Sequence, residues 1–285
     1  MGSLMESITS EVVHQPPRIL IYGLPGVGKS TLGSTVQNGI FMDLENGIPG
    51  RAIPRFTGMT NYNAVMLAMK ELLVDDHSYK ELVIDSLSRL ELLGHSQIST
   101  QEGVESIGLI PFGKGYAQAD SIFEDFRKTC DTLREQRGMP IIVVAHAEAV
   151  TVDDPMTGPF TRMQPQMHKR SLAKFIEWFD LIGYMSVDRI IDKKSSGNRE
   201  IITSKTTGAR VLITEDDGSA LAKCRWTLHD EEGKETSRLI IPKEDGYAVI
   251  RKALGDAMKF TAAEDKQRRS TTKKAKAKKT EEVEF

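Results

Sequence analysis

The sequence predicts an α/β fold: a mostly parallel central sheet with helices on both faces, extended by antiparallel strands towards the C-terminus. Between residues 18 and 145, short apolar runs alternate with longer segments in which apolar residues recur at helical spacing. A glycine-rich turn joins the first apolar run to the first helical segment. Beyond residue 180, strand-like runs follow one another through connectors that contain Gly and Asp, which indicates hairpins.

The glycine-rich turn is the strongest local signal in the chain. Residues 18–22 are predicted to form a strand, and residues 29–37 a helix that stops at Asn38-Gly39. The turn between them fits the pattern G-x-x-x-x-G-K-[ST], a loop that binds phosphate through consecutive backbone N–H groups and the start of the following helix. The predicted nucleotide-binding residues are Gly23, Pro25, Gly26, Val27, Gly28, Lys29, Ser30 and Thr31.

Two side chains of this loop have specific predicted roles. Lys29 would reach the β- and γ-phosphates of a nucleoside triphosphate as a point charge, and the Ser30 hydroxyl would hold Mg²⁺. A Gly-rich turn without this role is the alternative, but the order of strand, loop and helix favours phosphate binding. ATP and Mg²⁺ are therefore the expected cofactors.

The remaining elements are predicted in chain order from their apolar periodicity. The predicted strands are 40–45, 80–85, 141–145, 181–187, 199–204, 210–214 and 222–228. The predicted helices are 62–73, a short one over 87–94, 119–133, 171–179 and 247–259. Gly94 is expected to end the short helix. Residues 46–60, 95–115 and 147–166 lack a clear period and are expected to be loops.

The composition is that of an ordinary soluble globular protein. The chain has 285 residues, 39% of them hydrophobic and 27% charged, with a net charge of −2. No apolar run approaches the roughly 18 residues of a membrane span. The N-terminus is polar and acidic, unlike a signal peptide, and two cysteines give no disulfide or metal framework. We therefore expect a cytoplasmic location without membrane association.

The predicted domain organisation is a flexible lead-in over residues 1–17, one core over 18–259, and a disordered tail over 260–285. Residues 261–285 contain eight Lys and Arg against five Asp and Glu, a net charge of +3, so the remainder of the chain carries −5. The tail is basic and of low complexity, with an acidic tip. It is either a solvated tail or a source of salt-sensitive affinity for nucleic acid.

Acidic residues at strand ends are the candidates for metal binding and catalysis. Asp85 ends a hydrophobic strand and would hold Mg²⁺ through water, the alternative being a helix N-cap. Hydrolysis also needs a group that accepts a proton from, or positions, the attacking water. Glu45 is the candidate base because it ends the strand that follows the first helix. Asp43, on the same face of that strand, remains the alternative.

Three further polar residues are candidates for contact with the γ-phosphate. His146 directly follows strand 141–145, where a side chain could sense the γ-phosphate, although a lone histidine is more often structural. Lys223 and Arg225 place two cations on one face of a late strand. These cations are either solvated or inserted into the nucleotide site of a neighbouring subunit, as arginine fingers are.

Taken together, the ordered motifs resemble the RecA-like ATPases, and in particular the core-only phage relatives linked to single-strand annealing and recombination. The motifs are GLPGVGKST at 23–31, FMDLE at 41–45, LVIDS at 82–86, VVAH at 143–146 and AKCR at 222–225. The resemblance covers residues 18–255 and implies a RecA-like P-loop NTPase core. It implies Glu45 as catalytic base and His146 as γ-phosphate sensor, where RecA itself has Gln. It also implies Lys223 and Arg225 acting in trans, within a filament or ring.

The resemblance further implies single-stranded DNA as a partner. In RecA relatives the irregular segments after the third and fourth strands bind single-stranded DNA, and here these are residues 95–116 and 147–171. Single-strand binding needs cations and aromatic rings, and both segments contain them. The candidate contacts are Lys114, Tyr116, Arg162, Lys169 and Arg170. Flexible loops of mixed composition are the alternative.

Three functional hypotheses follow. The first is an ATPase, stimulated by single-stranded DNA, that acts in phage-type recombination or annealing in the cytoplasm of a bacterial host cell. The second is a nucleotide-dependent switch or assembly factor for replication or recombination proteins, such as a single-strand-binding protein, with little DNA affinity. The third is a small-molecule P-loop kinase. It ranks last because its candidate lid, 147–171, offers only Arg162 and Arg170.

Overall fold

The computed structural model describes residues 15–47, 52–156, 158–196 and 199–259, and for residues 189–206 it describes only backbone. The predicted tail and residues 1–14 of the predicted lead-in lie outside the described residues. Within the lead-in, the prediction is wrong for Pro16 and Pro17, which are buried. The backbone N–H of Ile141 donates to the carbonyl oxygen of Pro17 at 3.0 Å, so the chain joins the core before the first strand.

The central sheet is mixed, and its first strand lies inside the sheet, between two parallel neighbours. Its strands are β1 (Arg18–Gly23), β2 (Gly39–Asp43), β3 (Arg55–Phe56), β4 (Glu81–Asp85), β5 (Ile141–Asp154), β6 (Gly158–Pro165), β7 (Leu181–Ser196), β8 (Arg199–Ile213), β9 (Lys223–Cys224) and β10 (Arg238–Ile241). The strand order is β10-β8-β7-β1-β5-β4-β2-β3. The strands from β7 to β3 in this order pair in parallel. β8 and β10 add to that sheet in antiparallel fashion, as predicted.

Helices cover both faces of the sheet, which confirms the predicted architecture. They are α1 (Lys29–Gly33), α2 (Tyr62–Val74), α3 (Leu87–Gln101), α4 (Lys114–Arg137), α5 (Lys169–Trp178) and α6 (Gly246–Leu254). Leu20 and Tyr22 of β1 belong to the core shared with α2 to α5, whereas Ile19 and Ile21 belong to the core shared with α1 and α6. This alternation follows from the period of two along a strand. None of the helices in the described part of the chain has the length and apolar character needed to cross a membrane.

The first helix is shorter than predicted, because it ends at Gly33 rather than near residue 37. The hydroxyl of Ser34 donates to the carbonyl oxygen of Thr31, and that of Thr35 to the carbonyl oxygen of Leu32. Hydroxyl side chains compete in this way with the helical backbone pattern, and the chain turns towards β2. A helix of this length contributes little dipole, so phosphate binding must depend on the loop amides themselves.

The predicted stop at Gly94 is wrong, since α3 continues to Gln101. A Cβ at Gly94 would lie 2.6 Å from Cε1 of Phe123 in α4. Glycine is therefore needed here for the close packing of α3 against α4, and it does not terminate the helix. Residues 95–101, predicted to be part of a loop, are helical for the same reason.

The predicted loop over 147–166 is instead a β-hairpin. β5 continues well beyond residue 145 and pairs antiparallel with β6, from Ala147 opposite Pro165 to Asp154 opposite Gly158. Prolines in this segment suggested a loop, but Pro155 lies in the turn, and Pro159 and Pro165 are the second and last residues of β6. On its other side β6 forms only a single bridge, between Met163 and Ala220. An edge strand tolerates proline because its outer N–H groups have no ladder partner.

The C-terminal strands also differ from the prediction in their extent. The predicted strands 199–204 and 210–214 are one continuous strand, β8. The predicted strand 222–228 is reduced to β9, and β10 was not predicted. The short β3 lies within the predicted loop 46–60. Short edge strands have too few residues to show a period, so sequence reasoning misses them.

Candidate functional site

The candidate site lies where four neighbouring parallel strands end. Gly23 of β1 lies opposite His146 of β5, and Asp43 of β2 lies opposite Asp85 of β4. Asp85 in turn has Val144 of β5 as its neighbour. The carboxyl end of a parallel sheet is where α/β proteins bind ligands. The sheet thus brings together the phosphate loop, Asp85 and His146, as the sequence predicted.

The loop after β1 presents unpaired backbone donors. Within this loop, the backbone N–H groups of Gly26, Gly28, Lys29, Ser30 and Thr31 have no hydrogen-bond partner among the described residues. Gly28 has φ of +100°, a backbone conformation that favours glycine and turns successive amides to one side. Unpaired amides in succession form an anion-binding concavity. The loop is therefore a fitting cradle for phosphate oxygens.

Lys29 is folded back on its own loop. Its Nζ donates to the carbonyl oxygens of Gly23 at 2.9 Å and Leu24 at 3.1 Å. Burial lowers the pKa of Lys29, while the negative charges of Asp85 and Glu45 act in the opposite direction. A buried ammonium without a carboxylate hydrogen bond would gain from an anionic ligand.

Asp85 and Ser30 form the pair that fits Mg²⁺. The Ser30 hydroxyl donates to the Asp85 carboxylate, which is 4% exposed. The pKa of Asp85 is raised to about 6, first by burial and also by the neighbouring charges of Glu45 and Asp43, against the opposing effects of Ser30 and Lys29. Mg²⁺ prefers oxygen ligands and is usually held by one or two protein groups together with substrate phosphates. The donor set fits such an ion.

Glu45 is held by two neighbours through a single oxygen. The Ser86 hydroxyl donates to Oε1 of Glu45, and Nε2 of His146 lies 2.9 Å from the same oxygen. The other oxygen, Oε2, has no partner in the described part of the chain, and about 31% of the side chain is exposed. A carboxylate fixed on one side and open on the other is suited to contact a water molecule.

Asp43, the alternative base, occupies a different environment. It is buried, and Oδ1 accepts a hydrogen bond from the backbone N–H of Gly47 at 3.1 Å. Its Oδ2 lies 3.8 Å from Nη1 of Arg55. Both carboxylate oxygens thus have protein partners, which favours Glu45 as the residue that faces water.

Lys223 and Arg225 lie far from the phosphate loop of their own chain. β9 pairs with the beginning of β7, whereas the phosphate loop follows the other end of the neighbouring β1. Lys223 Nζ donates to the carbonyl oxygen of Ile176 at 2.8 Å, at the end of α5, and Arg225 lies 3.1 Å from Asp180. The two cations therefore have partners within the chain, and a role in a neighbouring subunit stays a prediction.

The candidate DNA contacts divide into exposed and paired residues. Lys114 and Lys169 are exposed, and Tyr116 is half-buried. Arg162 lies 3.5 Å from Asp216, and Arg170 forms an ion pair with the buried Asp120. The two arginines are thus neutralised within the chain. Of the predicted DNA contacts, only the two lysines remain as exposed cations without an ion pair among the described residues.

Sequence reasoning missed three features beside the loop. Ser86, within the quoted LVIDS motif, was not given a role, although the hydroxyl after a strand-end Asp could have suggested one. Arg210 of β8 lies against Gly28 and gave no local signal, because about 180 residues separate the two. A cleft of about 480 Å³ opens beside the first half of the loop, between Leu24, Tyr184 of β7 and Arg238 of β10.

Comparison with known proteins agrees with this geometry. A family model described as an AAA domain matches residues 15–226, which contain the phosphate loop, Glu45, Asp85 and His146. No curated protein gives a match to the chain. The matched range is well over half of the chain, and its P-loop, mixed α/β sheet and strand-end acid are those of a nucleotide-binding ATPase. The chain belongs to the AAA domain family of P-loop ATPases.

Proposed function

We propose that the protein hydrolyses ATP with Mg²⁺ and couples hydrolysis to the binding of single-stranded DNA, in recombination or strand annealing of the phage type. The unpaired loop amides and the buried Lys29 fit a triphosphate. Ser30 and Asp85 supply oxygens for Mg²⁺. The bound ion would neutralise charge on the β- and γ-phosphate oxygens. Family membership supports ATP as the substrate class.

In the proposed reaction Glu45 is the general base. Its Oε2 accepts a proton from water as the water oxygen bonds to the γ-phosphorus, and the bond from that phosphorus to the β–γ bridging oxygen breaks. Ser86 and His146 both bind Oε1, so they orient the free oxygen. Lys29 offsets the negative charge that moves to the leaving phosphate.

The proposed coupling between ATP hydrolysis and DNA binding is supported by one observation: a path of hydrogen bonds leads from Glu45 to the segment just before α5. His146 contacts Glu45, and its carbonyl oxygen accepts from the backbone N–H of Gln166 at 2.8 Å. The Ser88 hydroxyl joins the same two residues, since it donates to the Gln166 carbonyl oxygen at 3.0 Å and accepts from the His146 N–H at 3.2 Å. A shift of His146 on nucleotide binding would therefore move the segment that leads to His168.

The path ends at a surface formed by Phe112, Lys114, Tyr116, His168 and Lys169, which we term the aromatic–cation surface. The rings of Tyr116 and His168 are stacked, with centroids 4.0 Å apart, and hold the starts of α4 and α5 together. Phe112 is 97% exposed, and the chain carries an exposed lysine two residues before Tyr116 and another directly after His168. Exposed rings beside cations are what single-strand binding requires.

Self-association forms part of the proposal. Lys223 and Arg225 lie beside the start of β7, at the end of the strands opposite the phosphate loop. Cations at that end have partners in their own chain, but they could instead face the loop of a copy placed next to it in a filament or ring. Their contacts with Asp180 and the end of α5 would then be exchanged for contacts with the γ-phosphate.

Replacing Phe112 with alanine is expected to weaken the binding of single-stranded DNA by about 5- to 100-fold, because stacking of one base on an aromatic ring contributes about 1–3 kcal/mol. The side chain is almost fully exposed, so we expect the variant to fold as the wild type does. Fluorescence anisotropy of a labelled oligo-dT with ATP present measures the effect. Lys169→Gln should reduce both the affinity and its salt dependence.

The matched control is Lys252→Gln, which removes one exposed cation from α6 on the other face of the sheet. Its DNA affinity should stay close to that of the wild type. Equal affinity of Phe112→Ala, Lys169→Gln and the control would exclude the aromatic–cation surface from DNA binding. The coupling proposal would then have to be abandoned.

The second candidate is the nucleotide-dependent switch with little DNA affinity. It is favoured by the pairing of Arg162 with Asp216 and of Arg170 with Asp120, which removes two of the five predicted DNA contacts. The exposed Phe112 would then contact a protein. Absence of measurable DNA binding, together with intact ATP turnover, would favour this candidate.

A further inference from the structure

One arginine reaches the phosphate loop from a distant strand. Arg210 of β8 lies opposite Val187 of β7 and Ile241 of β10. Its Nη1 lies 2.4 Å from the position that a Cβ on Gly28 would occupy, so the guanidinium fills the space directly against this glycine. Its Nη2 donates to the carbonyl oxygen of Pro242. The head group thus lies next to the residue that precedes Lys29.

The charge of Arg210 lacks a counter-charge. The side chain is buried, with only 8% of the residue exposed, and no carboxylate in the described part of the chain forms an ion pair with it. Other buried arginines differ: Arg134 pairs with Asp131 at 2.8 Å, and Arg127 pairs with Glu124. Burial lowers the pKa of Arg210. A buried, unpaired cation is costly unless a ligand supplies the anion.

We infer that Arg210 is a second cation of the phosphate site and that its counter-charge is the phosphate chain of the bound nucleotide. This inference rests on the proposed binding of ATP at the loop. A guanidinium offers several N–H donors in a planar fork, and Arg210 uses one of them for Pro242, which leaves others for phosphate oxygens. Lys29 supplies one charge from within the loop, and Arg210 supplies another from β8.

Through Arg210, β8 would have a role in the phosphate site. β8 lies two strands away from β1 and is antiparallel to β7, so it is not needed for the parallel part of the sheet. It nevertheless delivers a cation to the loop. The purely structural alternative is that Arg210 only anchors the segment before α6 to the loop, through its bond to Pro242.

The test compares the wild type with Arg210→Gln and Arg210→Lys. Calorimetric titration with inorganic pyrophosphate and with ATP measures phosphate affinity, and thermal unfolding without ligand measures stability. We expect Arg210→Gln to bind both ligands roughly 10- to 100-fold more weakly, as for loss of a charge-assisted hydrogen bond. Arg210→Lys keeps the charge without the fork, and should lose less affinity. The ligand-free Arg210→Gln protein should be at least as stable as the wild type, because a buried unpaired charge is gone.

Lys243→Gln is the control, since it removes an exposed cation from the same segment, next to Pro242. It should bind pyrophosphate as the wild type does. Wild-type affinity in both Arg210 variants would overturn the inference while leaving the proposed function intact. Failure of the wild type to bind either ligand would overturn the proposed function and this inference with it. The lysine variant keeps the test decisive should the glutamine variant fail to fold.

Discussion

Replacing Glu45 with glutamine is expected to lower the rate of ATP turnover by at least about 100-fold, the usual contribution of a general base. Glutamine keeps the shape of the side chain and can still contact Ser86 and His146 through its carbonyl oxygen. It cannot accept a proton from water. ATP binding should remain, because Lys29 and the loop amides are unchanged. Phosphate release under saturating ATP, together with calorimetric ATP affinity, measures the two effects separately.

Asp43→Asn is the informative comparison for this prediction. Asp43 is buried and bound to Gly47 and Arg55, so the substitution should reduce stability more than turnover. If Glu45→Gln turned over ATP at the wild-type rate while Asp43→Asn lost activity, the base would be Asp43. Loss of activity in both variants would have to be judged against their folded fractions.

Replacing Asp85 with asparagine is expected to raise the Mg²⁺ concentration needed for half-maximal ATP turnover by about 10- to 100-fold, as for other residues that hold a metal through water. The effect should depend on pH, because the pKa of Asp85 is raised to about 6 by burial and by nearby acids. In the metal-free protein the carboxyl takes up a proton below this pH, so Mg²⁺ has to compete with the proton for Asp85. Titrations of turnover against Mg²⁺ at about pH 5 and about pH 8 should therefore differ for the wild type and coincide more closely for Asp85→Asn.

The raised pKa of Asp85 also affects the stability of the folded protein. A carboxyl whose pKa is higher in the folded than in the unfolded chain binds its proton more readily when folded, so the free energy of unfolding rises as pH falls from about 6 towards 4. At neutral pH the buried charge is destabilising. Without ligand, Asp85→Asn should therefore unfold at a higher temperature than the wild type near neutral pH, and the difference should shrink at about pH 5. A lower unfolding temperature at both pH values would contradict the assigned environment of Asp85.

Local patterns predicted which strand-end residues the sheet brings close to the phosphate loop. The phosphate loop is specified by eight consecutive residues between a strand and a helix, and Asp85 ends a strand whose apolar residues are contiguous. In a parallel sheet, strand ends meet at one edge, so the proximity of Asp85 and His146 to the loop followed from the strand predictions alone. The architecture with helices on both faces followed from the same alternation.

What could not be predicted depends on contacts between distant residues. Arg210 and Gly28 are neighbours only because β8 folds back along β7. The ion pairs of Arg162 and Arg170 with acids elsewhere in the chain likewise leave no trace in a local window. These pairs decide which cations remain free for a ligand. Residue type and spacing indicated which cations could contact a ligand, but they could not show which of those cations are already paired with acids.

The β5–β6 hairpin shows a different limit. Its prolines suggested a loop, but one lies in the turn and the other two lie near the two ends of β6, where a strand tolerates proline. Helix ends were misjudged for a related reason. Gly94 is typical of a helix stop in sequence, but here it permits close contact with Phe123 inside α3. The sequence alone does not distinguish a glycine that permits close helix packing from a glycine that ends a helix.

The most direct test of DNA-coupled ATP hydrolysis is the rate of phosphate release by the whole chain, with and without single-stranded DNA, at low and at physiological ionic strength. We predict that DNA accelerates hydrolysis and that the acceleration declines with salt, because the release of counterions from DNA phosphates contributes less binding free energy as the salt concentration rises. Hydrolysis that proceeds at the same rate with and without DNA, at both ionic strengths, would contradict the coupling between His146 and the aromatic–cation surface.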